Sequence, residues 1–452
     1  MPLLSLAATT TTLYFKEECR MKKFLALLLA LTMAMSLAAC GGSDEETAEE
    51  PTGGETTEAI GASDVKIGLI CVHDINSGYD AAHIEGLTTA CEDLGITVDT
   101  EDPANSQVIF RYNIPEDESC LDAAVDLAEE GCNIIFSDSY GHQMYMQQAA
   151  SQYSDVTFVA CTGDLAASSG LDNYKNIFPY TYESRYVSGV VAGMKLKELM
   201  DAGTVTDPYI GYVGAFPYAE VVCGYTAFLL GIQSVVPEAH MDVQYTSSWY
   251  DPVAEGEAAN ALMARGCIII GQHADSTGAP SAVQAQKDAG SVVYSVGYNI
   301  DMLSVAPTAA LTSAQNNWSV LYRDTLEKFI NGEEVPVDFA VGASEDAVMI
   351  SALGPECAEG TQEAVDAAWA GIKDGSLKVF DTSTFTCQPA TDGSYQVDEN
   401  GHVTSAFGLD SDGDFVNDTG EAIVDGAFQE SVLRSAPYFS LRIDGITELN
   451  NN

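Results

Sequence analysis

Short apolar runs rich in β-branched residues alternate with amphipathic stretches along most of the chain. The runs predict buried strands at 65–70, 96–98, 133–136, 156–160, 209–213, 241–245, 267–270 and 291–296, and the stretches between them predict helices at 81–94, 119–130, 142–153, 186–200, 221–235, 252–265 and 279–289. Four of these helices end at a glycine, namely Gly95, Gly131, Gly266 and Gly290, where a left-handed conformation stops a helix. Strands alternating with helices of this length predict parallel sheets with helices on both faces.

Two successive sets of strands and helices predict an α/β fold with two doubly wound parallel-sheet lobes. We expect residues 64–180 with about 300–332 in the N-terminal lobe, and residues 181–299 with about 335–452 in the C-terminal lobe. Ligands of such sheets bind beyond the carboxyl ends of the strands. The loops expected to line the crevice are therefore 71–80, 137–142, 161–164, 214–220, 246–251, 271–278 and 297–301.

The N-terminal region has the pattern of an export signal. A basic start at 21–23 precedes an apolar run, and the small residues at 37–39 precede Cys40. We expect residues 1–39 to be a signal peptide with Met21 as the true start, because a basic segment should open such a signal. Cys40 is the expected lipidation site, and a chance cysteine after an ordinary signal peptide is the alternative. Residues 40–63 are acidic and rich in Gly and Thr, which predicts a flexible linker after the lipidated cysteine.

The net charge of the chain and the length of its N-terminal apolar run limit which partners it can bind and where it is located. The chain has 18 Lys and Arg against 67 Asp and Glu, a formal charge of -49, and such a surface repels phosphate backbones, so we expect no nucleic-acid partner. The apolar run 24–39 is too short for a full membrane span. We therefore expect the protein to be held by its N-terminal lipid on the extracytoplasmic face of the cell membrane. The odd number of cysteines after Cys40 favours buried free thiols over a disulfide framework.

Recognisable catalytic or metal-binding motifs are missing from the predicted loops. The chain has no HExxH, phosphate-binding or dinucleotide-binding glycine motif after a strand, and no cysteine–histidine spacing of a zinc site. We therefore expect no catalytic residue, no cofactor and no metal. His73 and His273 are interpreted as hydrogen-bonding loop residues. The acidic stretch 410–421 resembles a calcium loop, but Phe415 stands where that loop needs glycine, so an acidic solvated turn is favoured.

The predicted loops carry aromatic rings beside carboxylate, amide and hydroxyl groups. Flat rings next to such acceptors suit a ring-shaped ligand with several N–H or O–H donors. The alternative is that Trp249 and Tyr250 only pack the edge of a lobe. The candidate ligand-binding residues are Asn76, Tyr79, Asp80, Ser137, Tyr140, Trp249, Asp275, Asn299 and Asp301.

Several motifs together resemble the basic membrane protein family of ABC-transporter substrate-binding lipoproteins, the PnrA-like purine nucleoside receptors. They are Gly78-Tyr79-Asp80 with Glu85-Gly86, the helix segment 186–193, Glu220-Val221-Val222 with Gly231, Trp249-Tyr250-Asp251-Pro252, and the loop 297–301, within a similarity that runs from about residue 65 to 380. The resemblance implies the type I periplasmic-binding fold, two lobes joined by a hinge, and a purine stacked between Tyr79 and Trp249. The chain departs from the family at Asp80 and Asn299, where Asn and Asp are usual, and at Cys223, which replaces a basic residue.

The resemblance implies a receptor rather than an enzyme. We expect the protein to bind a purine nucleoside or nucleobase between its lobes and to deliver it to an ABC transporter permease. A sugar-binding receptor of the same fold is the alternative, because aromatic rings also stack on pyranoses. A lipid-anchored nucleoside hydrolase that uses Asp80 and Asp301 is a further alternative.

Overall fold

The structure, a computed structural model, describes residues 59–100, 102–410 and 416–450. Its first part contains β1 (Ile67–Ile70), α1 (Gly78–Leu94), β2 (Val108–Arg111), α2 (Glu118–Glu129), β3 (Ile134–Ser137), α3 (Gln143–Gln152), β4 (Thr157–Ala160), α4 (Ala166–Ser169) and β5 (Tyr174–Pro179). The alternation continues with α5 (Thr181–Asp201), β6 (Tyr209–Gly214), α6 (Ala219–Gln233), β7 (His240–Tyr245), α7 (Pro252–Arg265), β8 (Ile269–Gln272), α8 (Gly278–Asp288), β9 (Tyr294–Tyr298) and β10 (Ala310–Asn316). The remaining elements are α9 (Trp318–Asn331), β11 (Asp338–Val341), β12 (Val348–Ile350), α10 (Thr361–Lys373), β13 (Tyr395–Val397), β14 (Val403–Leu409), β15 (Thr419–Glu421), β16 (Ile423–Val424), β17 (Ala427–Phe428) and β18 (Ile446–Glu448).

Two mainly parallel sheets define two lobes. The first sheet has the order β11-β5-β4-β3-β1-β2, and all its pairs are parallel. The second sheet has the order β12-β10-β9-β8-β6-β7-β18, in which only β12 is antiparallel to its neighbour. We call the first sheet with its helices the first lobe and the second sheet with its helices the second lobe. The predicted arrangement of two doubly wound α/β lobes is present.

Periodicity located the predicted helices and all but one of the predicted strands. Gly95 and Gly266 follow α1 and α7 with φ of 72° and 106°, and Gly131 and Gly290 also have positive φ. The exception is the predicted strand 96–98. The strand that pairs with β1 is Val108–Arg111, and 96–98 is a loop in which Ile96 is buried. Three successive β-branched residues, Ile96, Thr97 and Val98, gave this loop the appearance of a strand.

The expected lobe boundaries need correction after residue 299. Strand β10 lies in the second sheet, although residues from about 300 were expected in the N-terminal lobe. Strand β11 lies in the first sheet, although residues from about 335 were expected in the C-terminal lobe. Strands β10 (ALTSAQN) and β11 (DFAV) mix apolar and polar residues in a way that suits either sheet, so the pattern alone did not assign them. The chain crosses between the lobes near 180, 317 and 342–347.

Buried hydrogen bonds connect the three crossovers. The Thr181 hydroxyl donates to Asn316 Oδ1 over 2.9 Å, and the Ala343 N–H donates to Glu183 Oε2 over 2.7 Å. The Asn317 N–H donates to the Ala347 carbonyl over 2.8 Å. These bonds fix the three segments relative to one another at the junction of the lobes.

The segment from 381 to 450 packs mainly on the second lobe, as expected for the C-terminal region. Its last strand, β18, extends the second sheet beside β7. Its aromatic residues join the second-lobe core, and the Phe380 and Phe439 rings stack with centroids 4.3 Å apart. We call residues 381–450 the C-terminal segment. Residues 411–415, which include most of the acidic calcium-like motif, lie outside the described residues.

The N-terminal predictions fall largely outside the described residues. These include the signal peptide, the Met21 start, Cys40 and the linker as far as residue 58. Residues 59–63 were expected in the linker, but Ile60 and Ala62 pack on the first-lobe core and the Gly61 N–H donates to the Ile330 carbonyl. The linker prediction is therefore corrected for these five residues. The nine cysteines of the described chain are unpaired, and no described helix combines the length and hydropathy required to cross a membrane.

Candidate ligand-binding site

A cleft lies where the carboxyl ends of the strands in both lobes meet. Its lining comprises Val72, Tyr79, Asp138, Ser139, Tyr140 and Thr162 from the first lobe, and Glu220, Trp249, His273, Asp275 and Tyr298 from the second. Every one of these residues belongs to a loop that the sequence predicted to line the crevice. The enclosed space is about 20 Å³, roughly enough for one water molecule. A purine would therefore enter only when the lobes move apart or the lining side chains rotate.

The two rings expected to stack on a ligand line this one cleft from opposite lobes. The Tyr79 hydroxyl donates to the Cys161 carbonyl over 3.1 Å, and its ring packs edge-on against His83. The Trp249 ring packs against Phe216 and Tyr218, with centroids 5.1 and 6.0 Å away. Each ring is thus held by its own lobe while it borders the space between them. Trp249 packs on its own lobe, as the alternative interpretation proposed, and it also lines the cleft.

Aromatic contacts bring the lobes together at the cleft. Tyr140 of the first lobe and Tyr218 of the second have ring centroids 6.3 Å apart, and His73 and Tyr250 make a second contact at 5.5 Å. The Tyr140 hydroxyl donates to Asp164 Oδ2 over 2.9 Å. Tyr140 is therefore a fixed part of the first-lobe wall.

Asp275 is the predicted second-lobe carboxyl group that reaches the cleft. The Asn299 side-chain amide donates to Asp275 Oδ1 over 2.9 Å, so Asn299 positions Asp275 and does not itself line the cleft. Asn299 has φ of 65°, a left-handed conformation that Asn tolerates. Burial raises the pKa of Asp275 well above its usual value, and the nearby Glu255 carboxyl adds to this. A protonated Asp275 can both donate and accept a hydrogen bond.

Glu220 and His273 form a polar pair on the second-lobe wall. Glu220 Oε1 lies 3.2 Å from His273 Nε2. Burial raises the pKa of Glu220 to about 7, although the Arg185 guanidinium opposes this. Burial, with Arg185 nearby, lowers the pKa of His273 well below its usual value. A neutral His273 can therefore donate its Nε2 proton to Glu220.

Arg185 lies behind the same wall. Its Nη1 donates to the Gln272 carbonyl over 2.7 Å, and its guanidinium carbon lies 3.4 Å from the centroid of the Tyr298 ring. This cation–π contact holds the ring that faces the cleft.

Five predicted site residues do not line the cleft. Asn76 is exposed and its amide donates to Asp74, while the exposed Asp301 accepts the Leu303 N–H and so caps a short helical turn. Ser137 and Asp80 are buried, and Asn299 supports Asp275. Their loops reach the crevice, but the side chains of Asn76 and Asp301 bond to neighbours in their own loops, as Asn and Asp commonly do, and those of Ser137, Asp80 and Asn299 are buried beside the cleft.

Sequence reasoning did not select Val72, Asp138, Ser139, Thr162, Glu220, His273 and Tyr298 as site residues, although each lies in a predicted loop. Glu220 and Tyr298 had a usable signal, because each belongs to a motif of the family resemblance. For the others the pattern identified the loop but not the direction of each side chain.

The C-terminal segment encloses a second, larger cavity of about 990 Å³ against the lobes. Its lining shares Tyr140, Thr162 and Glu220 with the cleft. The cavity is therefore adjacent to the cleft and has room for a small molecule.

Comparison with known proteins places the chain in a family. The family model for PnrA-like ABC transporter substrate-binding proteins matches residues 65–379. The chain belongs to this family. The resemblance inferred from the motifs is confirmed, and the match ends just before the C-terminal segment. The family and fold are those of extracytoplasmic solute-binding proteins, whose partners are a small-molecule ligand and an ABC transporter permease.

Individual relatives are similar over most of the family region. A purine-binding protein of Brucella abortus is 30% identical over 317 residues, which cover 70% of this chain and 83% of that protein. A putative ABC transporter glucose-binding protein of Haloferax volcanii is 33% identical over 258 residues, 57% of this chain and 61% of that protein.

Solved structures of solute-binding proteins share the fold. Those from Conexibacter woesei and Aeropyrum pernix have TM-scores of 0.51 and 0.58 and identities of 20% and 15%. The match to the Conexibacter woesei protein covers 70% of this chain and 98% of that protein. The match to the Aeropyrum pernix protein covers 73% of this chain and 95% of that protein. The predicted two-lobe type I periplasmic-binding fold is confirmed.

Proposed function

We propose that this protein is a lipid-anchored receptor that binds a purine nucleoside or nucleobase between its lobes and delivers it unchanged to an ABC permease. The observation that carries the proposal is that Tyr79 and Trp249, from opposite lobes, line one cleft. Two flat rings can stack on both faces of a purine. The 30% identity to a purine-binding protein of Brucella abortus supports this ligand class.

The polar lining suits a ligand rich in hydrogen-bond donors. Asp138, Glu220 and Asp275 place carboxyl groups around the cleft, and carboxyl oxygens pair with the N–H groups of a base or the hydroxyls of a ribose. Two stacking contacts of about 1–3 kcal/mol each and several hydrogen bonds of about 1 kcal/mol each support micromolar or tighter binding. Because the ligand contacts both lobes only when they are closed, binding favours closure.

Lipidation at Cys40 completes the proposal. The lipid would hold the receptor on the outer face of the cell membrane and raise its effective concentration near the permease. Mass spectrometry of protein from its native membrane tests this: a diacylglycerol-modified N-terminal Cys40 is expected. A mature N-terminus at another residue would contradict the anchor.

A ligand panel tests the binding function. Calorimetry and thermal unfolding with adenine, adenosine, guanosine, inosine and matched sugars should show binding and a raised Tm with purine compounds, because a ligand of the native state stabilises it. A sugar receptor is the second candidate, favoured by the similarity to a glucose-binding protein. Binding of glucose or another pyranose with no response to purines would establish that candidate and refute ours.

The hydrolase alternative has less support from the geometry. Asp301 is exposed and caps its own turn, and Asp80 is buried and accepts the His73 N–H. Neither residue lines the cleft, so the pair is poorly arranged to activate a water beside a bound nucleoside. Release of free base during prolonged incubation with adenosine or inosine would overturn the proposal that the solute is unchanged.

A further inference from the structure

Three potential metal ligands lie together in the first lobe, and a histidine lies beside one of them. Cys71 follows β1, Asp138 follows β3, and Asp80 lies in the first turn of α1. The Cys71 Sγ and one carboxyl oxygen each of Asp80 and Asp138 lie within 4.8 Å of one another. His73 adds an imidazole nitrogen, with Nδ1 3.6 Å from Asp80 Oδ2. The sequence predicted no metal site, because these residues come from separate elements and form no contiguous motif.

The polar atoms of this cluster are buried, and several lack a hydrogen-bond partner. Cys71, Asp80 and Asp138 are fully buried. Asp80 Oδ1 accepts the His73 N–H and Asp138 Oδ1 accepts the Val72 N–H. The second oxygen of each carboxyl group and the His73 Nδ1 are buried without a hydrogen-bond partner. Burying a polar atom without a hydrogen-bond partner costs free energy, so such atoms are rare in folded proteins.

The two carboxyl groups also need a counter-charge. Within the described chain, neither Asp80 nor Asp138 forms an ion pair with a lysine or arginine, and His73 is the one basic group paired with Asp80. Either a proton held by Asp138 or a bound cation can neutralise the pair.

We propose that Cys71, Asp80 and Asp138, with His73 as the fourth ligand, bind a divalent zinc ion. Thiolate, imidazole and carboxylate are the ligands that Zn²⁺ uses, whereas Mg²⁺ and Ca²⁺ prefer oxygen alone. Ligand atoms about 2.0–2.3 Å from zinc are roughly 3.5 Å apart in a tetrahedral site. Small rotations of Cys71, Asp80 and Asp138 therefore close their present spacing of up to 4.8 Å, and His73, which lies beside Asp80, completes the site by turning its ring toward the ion. On binding, the Cys71 thiol loses its proton to solvent and a Zn–S bond forms.

The site has a structural consequence for the cleft. Asp80 is adjacent in sequence to Tyr79, and Asp138 lines the cleft itself. A metal at this point links the ends of two strands to the helical turn that carries Tyr79. The ion thereby orders the first-lobe wall, whichever solute the cleft binds.

Cobalt and zinc binding to the chelator-treated, reduced full chain tests the proposal. Inductively coupled plasma mass spectrometry should find one Zn²⁺ per chain after dialysis, and Co²⁺ should give a thiolate-to-cobalt charge-transfer absorption band. Zn²⁺ should also raise the Tm. Cys71→Ser should abolish the cobalt band, and Asp138→Asn and Asp80→Asn should each weaken Zn²⁺ binding at least tenfold. Cys91→Ser, which removes another buried thiol of the same lobe, is the matched control and should bind as the wild type does.

These measurements distinguish a bound zinc ion from a proton shared between Asp80 and Asp138. A wild-type protein that gives no cobalt band and no rise in Tm would overturn the proposal, as would a band that persists in Cys71→Ser. If Asp138→Asn raises the Tm of the chelated protein and wild type binds no zinc, a proton shared between the two carboxyl groups accounts for the cluster. None of these readouts depends on a purine ligand, so the proposed function and the metal site can fail separately.

Discussion

Arg434 of the C-terminal segment lies 3.5 Å from Asp164 of the first lobe, measured from Nη1 to Oδ2. Asp164 also accepts the hydroxyl of Tyr140, a residue of the cleft. Beside this ion pair, the Ser435 N–H donates to Asp338 Oδ1 over 2.9 Å. The C-terminal segment packs mainly on the second lobe, so these contacts form a connection between the lobes that is separate from the three crossovers.

Arg434→Ala should therefore favour the open form. Both partners of the ion pair are largely buried, and we expect its loss to cost about 1 kcal/mol, which shifts the open-to-closed ratio about fivefold. Small-angle X-ray scattering of the ligand-free protein should show a larger radius of gyration. Arg442→Ala is the matched control, because Arg442 pairs with Glu448 of the same segment. An unchanged radius for Arg434→Ala would mean that the pair does not hold the lobes together.

Trp249→Ala should weaken purine binding while leaving the fold intact. One stacking contact contributes about 1–3 kcal/mol, so the Kd should rise about fivefold to over a hundredfold. Isothermal titration calorimetry with the best purine ligand measures this directly. Trp249→Phe should restore part of the affinity because it restores a stacking ring.

The control for this experiment is Trp369→Ala. Trp369 is a partly buried tryptophan of α10 that packs on the second-lobe core and does not line the cleft. It should lower the Tm without changing the Kd. Equal Kd values for the wild type and Trp249→Ala would remove Trp249 from the ligand contacts.

Gly231→Ala should destabilise the second lobe severely. A Cβ at Gly231 would lie 2.1 Å from the Tyr186 carbonyl oxygen, where α6 meets α5. The helices would have to separate, at an expected cost of about 1–3 kcal/mol or more. Urea unfolding should show a reduced midpoint. Gly256→Ala, inside α7 with its nearest neighbour 3.5 Å from the new Cβ, should instead be neutral or slightly stabilising. Similar losses in both variants would show that packing space is not the cause.

More of the fold than of the site could be predicted, because the fold follows from patterns over whole helices and strands, whereas the site depends on single side-chain contacts. Periodicity marks whole elements, and the glycines that end α1 and α7 mark their boundaries. The same logic identified the loops that line the cleft. Side-chain direction depends on single hydrogen bonds: Asp301 caps its own turn, whereas Asp275, held by Asn299, faces the cleft. The bond between Asn299 and Asp275 joins two loops that are separate in the sequence, and the sequence pattern carries no record of it.

The assignment of β10 and β11 to their lobes was unpredictable for a related reason. Each strand ends just before a crossover between the lobes, β10 before residue 317 and β11 before 342–347. Which sheet each strand joins depends on long-range pairing, β10 with β9 and β11 with β5. Local hydropathy is equally compatible with either partner.

Stability should fall as the pH rises through the range in which Glu183 titrates. Burial raises the pKa of Glu183 from 4.5 to about 7, with the Glu345 charge adding to the effect, while the Ala343 N–H and Lys373 oppose it. Between these two values the folded state holds a proton that the unfolded state has released. The resulting stabilisation is therefore complete below about pH 4.5 and is lost by about pH 7, and it amounts to at most about 3 kcal/mol.

Glu183→Gln removes this dependence, because an amide keeps an acceptor for the Ala343 N–H and carries no charge. Its free energy of unfolding relative to the wild type should be constant below about pH 4.5, rise as the pH increases to about 7, and then level off. Urea titrations at intervals across this range measure the difference. Glu183→Ala lacks the acceptor and should be less stable than Glu183→Gln at every pH. Wild-type and Glu183→Gln curves that run parallel would show that the pKa of Glu183 is the same in the folded and unfolded states, and that the Ala343 N–H and Lys373 offset its burial.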